Sequence, residues 1–309
     1  MFTVMSDVSP IDGGAPSASI ELVLPARERD LGGFTVRRTL PAIGRRMVGP
    51  FIFFDHMGPL SLPPGAGMDV RPHPHIGLAT VTFLFDGEIV HRDSLGSLQP
   101  IRPGDVNWML AGRGIVHSER SDPQSRARGV HAHGIQSWMA LPTGDEESAP
   151  RFEHHDADAL PRVRSAGAIL DVIAGTAFGA RSPTTVLSPT LYVHARLEAG
   201  APLTVDAEHA ERAVYVVEGI ITCDGRPFGG GTMAILRPGV AAVVTAVASA
   251  RLMLIGGAPL DGPRYIDWNF VSSDKERLRR AKLAWRDDDI TQFPKVPGDE
   301  QERIPVPAF

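Results

Sequence analysis

The stretch Ala79–Asp93, ATVTFLFDGEIVHRD, decides the fold class. Asp86-Gly87 separates two short apolar runs, and Asp-Gly in such a setting is a strong signal for a tight turn between β-strands. The later stretch Ala213–Gly225, AVYVVEGIITCDG, has the same form around Glu218-Gly219. We interpret both stretches as β-hairpins, one in each half of the chain.

Outward from these two stretches, short apolar runs alternate with glycine and proline at intervals of roughly 8 to 12 residues, a spacing typical of β-sandwiches and β-barrels. The 32 glycines and 27 prolines also disfavour long helices. Because both halves share this design, the sequence predicts an all-β protein with a duplicated domain.

The predicted organisation has three parts. Residues 1–19, rich in Gly, Pro, Ser and Asp, are expected to form a disordered tail. Residues 20–145 form the first barrel, and residues 146–309 comprise a linker, a second barrel and a C-terminal tail. One helix is expected over 272–288, where Ser273-x-x-Glu276 has the pattern of a capping box, with an apolar face made by Leu278, Ala281 and Trp285.

Composition excludes several classes of protein. The net charge is −5, from 31 basic and 36 acidic residues without a basic tract, so direct nucleic-acid binding is not expected. Cys223 is the only cysteine, which rules out an intrachain disulfide and a thiolate metal site. A secretory signal and an apolar run of about 18 residues are both lacking, so no membrane span is expected. We expect a cytoplasmic monomer.

Two pairs of residues carry the chemistry. His73 and His75 are two residues apart just before a strand, and His117 and Glu119 repeat this spacing. Residues i and i+2 of an extended chain point to the same face, so each pair can reach one point. Three imidazoles and a carboxylate suit Fe(II), Mn, Ni, Co, Cu or Zn. Alone, either pair has an ordinary explanation as polar surface.

The surrounding glycines and prolines strengthen the metal interpretation. The spacing of Gly67, His73, His75 and Gly87 matches the first cupin motif, and RPG at 102–104 followed by His117 resembles the second. We therefore predict one divalent metal ion inside a β-barrel.

Longer segments resemble the pirin family: GPFIFFDHMGP (49–59), RPHPHIGLATVTFLFDGEIVHRDSLGS (71–97) and RPGDVNWMLAGRGIVHSE (102–119). The resemblance covers most of the chain from about residue 20 to 295. It implies two cupin-type jelly-roll barrels, the first of which holds a single metal ion, commonly iron. The implied ligands are His73, His75, His117 and Glu119, with Fe(II) expected.

The chain departs from the family pattern at Ala79 and Thr80, where many pirins carry a further glutamate. Glu119 is then the only obvious anionic ligand. In the second barrel, the positions that match His73, His75 and His117 are Val205, Ala207 and Val244, so that barrel is expected to hold no metal. We interpret His194 and His209 as structural or exposed residues.

Other polar residues remain open. His91, which shares a strand face with Asp93, either orients a metal ligand or is an ordinary surface histidine. His56 either lines the cavity or belongs to a turn. Three further residues are candidates for a position near the mouth of the barrel: His131, His133 and Gln136.

The resemblance implies two functions of different classes. The first is a metal-dependent dioxygenase of quercetin 2,3-dioxygenase type, which would bind a flat, aromatic, flavonol-like ligand in an apolar barrel. Glu119 would act as a ligand or as the base that removes the hydroxyl proton. The alternative is a non-catalytic, redox-sensing iron protein that binds a transcription factor or a metabolic enzyme. A cupin isomerase is a weaker third option.

Overall fold

The computed structural model describes residues 17–31 and 33–307. Residues 1–16 of the predicted tail lie outside this part. Residues 17–19, also assigned to the tail, pack on the second barrel, where the Ser17 and Ser19 hydroxyls donate to Asp224. The first strand, β1, spans Ile20–Pro25.

The first barrel is built from two sheets, with orders β12-β9-β6-β11-β4-β3-β2 and β5-β10-β7-β8. Its short helix α1, Pro123–Arg128, was not predicted; Asp122 caps it by accepting from two backbone N–H groups. The strands are β2 Arg27–Asp30, β3 Thr35–Leu40, β4 Phe51–Leu62, β5 Asp69–His75, β6 Leu78–Gly87, β7 Ile89–Asp93, β8 Leu98–Ile101, β9 Val106–Leu110, β10 Ile115–Arg120, β11 Val130–Ala140 and β12 Arg151–His155.

The second barrel repeats this plan. Its large sheet has the order β1-β21-β18-β23-β16-β14-β13, with β15 beside β14, and its small sheet has the order β17-β22-β19-β20. The strands are β13 Arg162–Ser165, β14 Ala168–Ala177, β15 Ala180–Arg181, β16 Thr190–Leu197, β17 Pro202–Val205, β18 Glu211–Glu218, β19 Ile220–Cys223, β20 Arg226–Gly229, β21 Thr232–Leu236, β22 Ala242–Ala246 and β23 Ala250–Gly257. The predicted all-β fold with two jelly-roll barrels is confirmed.

A small hairpin and the predicted helix follow the second barrel. The hairpin strands are β24 Tyr265–Asp267 and β25 Phe270–Ser272, and the helix α2 spans Lys275–Arg286. Its cap is Asp274, which accepts from Glu276 N at 2.8 Å, so the predicted capping role of Ser273 is wrong. Ser273 instead donates to Glu146. No described helix is long and apolar enough to cross a membrane.

The chain crosses between the barrels at both ends. Strand β1 pairs with β21 of the second barrel, although the sequence assigns it to the first. The segment after the second barrel returns to the first, where Val271 N donates to Ile76 O and Ile304 N donates to Pro72 O. Residues 143–165, interpreted as a linker, give one edge strand to each barrel, β12 and β13. Strands thus pair across the predicted boundaries, and the boundaries themselves stay a prediction.

The two predicted hairpins do not form. Strands β6 and β7 lie in different sheets, as do β18 and β19. Gly87, with φ of 88°, turns the chain from one sheet into the other, and Gly219 does the same in the second barrel with φ of 83°. A Cβ atom at Gly87 would lie 2.0 Å from His131 O, so glycine is required there.

Alternation along the strands places the core. On β6, Val81 and Phe83 point between the barrels, where the two large sheets pack face to face. Thr82 and Leu84 point to the opposite side, into the first barrel. Burial of each large apolar side chain between the sheets contributes about 2 kcal/mol to stability.

Candidate metal centre

Three histidines meet on two neighbouring strands of the small sheet in the first barrel. His73 and His75 lie on β5 and His117 on the adjacent β10, where His117 is directly opposite His73. One nitrogen of each ring lies within 4.8 Å of the others. The sequence predicted this meeting of the three histidines.

Hydrogen bonds orient two of the rings. His73 Nδ1 donates to Arg71 O at 2.8 Å, and His75 Nδ1 donates to Asn269 O at 2.9 Å. The Nε2 atom of each ring is then unprotonated, and its lone pair is free to bind a metal ion. His75 Nε2 and His117 Nε2 are 3.1 Å apart. With bonds of about 2.1 Å, neighbouring ligands on one metal ion are separated by about 3 Å, so the spacing fits a shared ion.

Burial keeps these imidazoles in the form that binds metal. The three rings are at most 6% exposed. Desolvation lowers the pKa of His73 to about 4, and it lowers the pKa values of His75 and His117 well below the ordinary value. Metal ligation needs neutral imidazole, so no proton has to be removed near neutral pH.

His91 orients the third histidine ring. His91 Nε2 donates to Asp93 Oδ2 at 3.0 Å, which leaves His91 Nδ1 as an acceptor 3.4 Å from His117 Nδ1. Asp93 is held in turn by the backbone N–H groups of Leu95 and Ser97. His117 Nδ1–H therefore points at His91, and His117 Nε2 points at His75. Of the two readings left open by the sequence, orientation of a ligand is the one that matches this geometry.

Glu119 lies beside the three histidines but outside the group that they form. A bulge after His117 places Glu119 opposite Val70, and such bulges re-aim side chains next to functional sites. Its Oε1 atom is 3.5 Å from Thr82 Oγ1 on the opposite sheet. Burial raises the pKa of Glu119. Its role as the fourth ligand stays a prediction.

Aromatic side chains form the wall behind the histidines. Trp138 meets His75 edge to face, with ring centres 5.0 Å apart, and it stacks on Phe53 at 4.0 Å. Phe152 stacks on His91 at 4.4 Å. These contacts fix the ring planes and exclude water from one side of the site.

The remaining sequence candidates are distributed over the molecule. His56 does not line the cavity; it lies between the barrels and bonds to His133 Nε2 at 2.8 Å and to Tyr215 OH at 2.9 Å. His131 is exposed, whereas Gln136 faces the first-barrel interior and bonds to Thr82.

In the second barrel, His194 and His209 are both buried and hydrogen bonded, to Asp171 and to the Thr176 carbonyl. Val205 and Val244, which the sequence matches to His73 and His117 of the first barrel, belong to the apolar core of the second. The described residues contain no group of three potential metal ligands in this barrel.

Two residues of the site could not be found from the sequence. Asn269 holds His75 through a backbone carbonyl, and a carbonyl has no sequence signature. Thr82 contacts Glu119 across the barrel, and it belongs to a stretch whose sequence pattern indicates a β-strand but no functional residue. The three imidazoles together suit a borderline divalent metal ion, which their Nε2 atoms would hold.

The sequence is similar to one family along most of its length. Profiles of the pirin family match residues 33–139, and those of the pirin C-terminal cupin domain match residues 192–291. A pirin-like protein of Caulobacter vibrioides is 49% identical over 292 residues, which cover 93% of this chain and 99% of that protein.

Solved structures agree with this assignment. A crystal structure of quercetin 2,3-dioxygenase from Acinetobacter baumannii matches with a TM-score of 0.87 and 33% identity, covering 93% of this chain and 95% of that one. A second crystal structure under the same name matches with a TM-score of 0.82 and 28% identity, covering 89% and 98%. With both cupin domains matched and nearly half of the residues shared with a full-length relative, the chain belongs to the pirin family.

Proposed function

We propose that this pirin is a metal-dependent dioxygenase of quercetin 2,3-dioxygenase type. Fe(II) would be held by His73, His75 and His117, with Glu119 as the fourth ligand. The observation that carries the proposal is the convergence of three buried, neutral imidazoles beside a partly buried carboxylate. Similarity to proteins called quercetin 2,3-dioxygenase supports the choice of reaction.

The protein side chains have distinct tasks in this reaction. The three histidines would hold the ion through their Nε2 atoms, with Glu119 as the neighbouring carboxylate. A bound ion supplies a Lewis acid for the flavonol oxygen and for dioxygen. Glu119, when it is not bound to the ion, would accept the flavonol hydroxyl proton at a carboxylate oxygen. Trp138 and Phe53 bound the site and limit the access of water.

The test is a metal series. The purified protein is loaded with Fe(II), Ni, Co, Mn or Cu, and quercetin loss and carbon monoxide release are measured under oxygen. Turnover with at least one metal is expected, and Glu119→Gln should slow it about 100-fold or more while metal remains bound. Loss of bound metal in Glu119→Gln would show that the carboxylate is needed to hold the ion, and retained metal with unchanged turnover would contradict its role as the base.

Absence of turnover with every metal would contradict the proposed reaction and favour the regulatory alternative. A separate proposal concerns location: we propose that the protein works in the cytoplasm. The single cysteine, Cys223, is buried and unpaired, as suits a reducing compartment.

A further inference from the structure

A row of polar side chains crosses the large sheet of the first barrel. Cross-strand neighbours follow one another through six strands, and Thr82 at the middle faces Glu119. The members of this polar row, from β12 to β3, are His154, Asn107, Thr82, Gln136, Asp55 and Arg38. The sequence distributes them over more than 110 positions, so no local motif announces them.

Hydrogen bonds within the polar row leave two donors free. His154 Nδ1 donates to Asn107 Oδ1 at 2.7 Å, and Thr82 Oγ1 donates to Gln136 Oε1 at 2.7 Å. Arg38 binds Asp55 through two bonds of 2.8 Å. In residues 17–31 and 33–307, the NH2 groups of Asn107 and Gln136 have no protein acceptor. These two groups lie on either side of Thr82.

Accessible surface reaches the polar row next to the metal centre. Every residue of 132–140 is buried except Gln136, and on β10 the four residues 115–118 are buried while Glu119 is partly accessible. Glu119 and Gln136 face each other across Thr82. In the stretches 115–119 and 132–140, Glu119 and Gln136 are therefore the two residues that remain partly accessible, and both lie next to the candidate metal ligands.

The fold does not require polar side chains at these positions. Thr82 precedes the corner residue Gly87 by the same five positions by which Val214 precedes Gly219. Strand pairing around Val214 gives the matching row of the second barrel, which is apolar throughout: Val23, Ala234, Val214, Leu254, Val193 and Val172. At all six positions the first barrel has a polar side chain where the second has an apolar one.

We propose that the polar row is a binding subsite for substrate oxygen atoms, in which the NH2 groups of Asn107 and Gln136 donate to hydroxyl or carbonyl oxygens. Neither NH2 group is among the buried side-chain atoms of the described residues that have no partner, so both remain open to a ligand oxygen that takes the place of water as acceptor. This inference rests on the proposed function and narrows its substrate class. The substrate is an aromatic chelator with hydrogen-bonding oxygens beyond the two that bind the metal.

A matched pair of ligands tests the subsite. Quercetin and 3-hydroxyflavone share the chelating oxygens, but only quercetin carries additional hydroxyl groups. Both are titrated under nitrogen into the Ni(II)-loaded full chain, and binding is followed by flavonol absorbance. The wild type is expected to bind quercetin about tenfold or more tightly than 3-hydroxyflavone.

The variants Gln136→Leu and Asn107→Leu should each weaken quercetin binding about tenfold and leave the affinity for 3-hydroxyflavone within about twofold. Gln124→Leu removes an exposed amide from α1 and is the matched control, with no expected effect. Metal content and Tm are measured for each variant, and Gln136→Met replaces any Gln136→Leu protein that does not fold.

Equal wild-type affinities for the two flavonols, with quercetin turnover intact, overturn the subsite alone. The same holds if the variants weaken both flavonols equally, since the change would then act through the metal centre. Failure of both flavonols to bind overturns the subsite together with the proposed function.

Discussion

The two barrels of this protein share one strand plan and differ in what their walls present. In each barrel, a large sheet packs against a small one. A glycine, Gly87 or Gly219, turns the chain from the large sheet into the small one. The first barrel encloses three histidines and the polar row, whereas the second is filled with aliphatic side chains. Because the same scaffold folds with either filling, polarity in the first barrel serves a ligand rather than the fold.

The contact between the barrels is largely apolar. The outer faces of the two large sheets pack against each other through residues such as Phe83, Tyr192 and Ile255. The second barrel thus stabilises the first and gives it a rigid back wall. Along one strand, alternate residues belong to the shared interface and to the functional interior.

The largest expected effect is on metal content. His75→Ala should abolish metal uptake at the centre, because it removes one of three converging nitrogens and the ring fixed by Asn269. Metal per chain is measured by elemental analysis after loading and gel filtration. His209→Gln, in the second barrel, is the control and should bind as the wild type does. Full uptake by His75→Ala would contradict the assignment of the centre.

The next effect compares the two interiors directly. Leu254→Gln places an amide in the apolar core of the second barrel and should lower the free energy of unfolding by about 3 kcal/mol. The reverse exchange at the matching position, Gln136→Leu, should change it by no more than about 1 kcal/mol. Urea unfolding measures both. Similar losses in the two variants would mean that the polar row is needed for folding.

A tenfold to hundredfold effect on metal affinity is expected for His91→Phe. The phenyl ring can keep the stack on Phe152 but cannot accept from His117 Nδ1, and loss of such partners typically weakens metal binding by about this factor. Competition with a chelator gives the dissociation constant. Exposed His131 serves as the control through His131→Phe. An unchanged constant would show that His117 needs no partner.

The smallest effect concerns pH and the contact between the barrels. Burial, with the nearby Arg37 charge, lowers the pKa of His56 to about 2. Between that value and pH 6.5 the unfolded chain binds a proton at His56 that the folded chain does not, so stability falls as pH falls through this window. His56→Gln should reduce the slope of the free energy of unfolding against pH by at most about 1.4 kcal/mol per pH unit. Unfolding at pH 5 and pH 6 measures it, with His131→Gln as the control; equal slopes would contradict this role.

Much of the fold was predictable because its signals are local. Short apolar runs between glycines and prolines predicted the barrels, and the face made by Leu278, Ala281 and Trp285 predicted α2. The turn at Gly87 was also correctly located. Its role was not, since a positive φ at glycine suits both a hairpin and a corner between sheets. Pairing depends on distant strands, so the local pattern could not separate the two.

The sequence alone determined that His73, His75 and His117 belong to one site, because i, i+2 spacing on a strand and the cupin-like glycines are local features. Only the tertiary structure decided how these rings point, through the Asn269 carbonyl and the Asp93–His91 pair. It also decided that polar side chains from six strands form one row opposite Glu119. The physical reason is that orientation and cross-strand register arise from contacts between segments far apart in the chain, which no short stretch encodes.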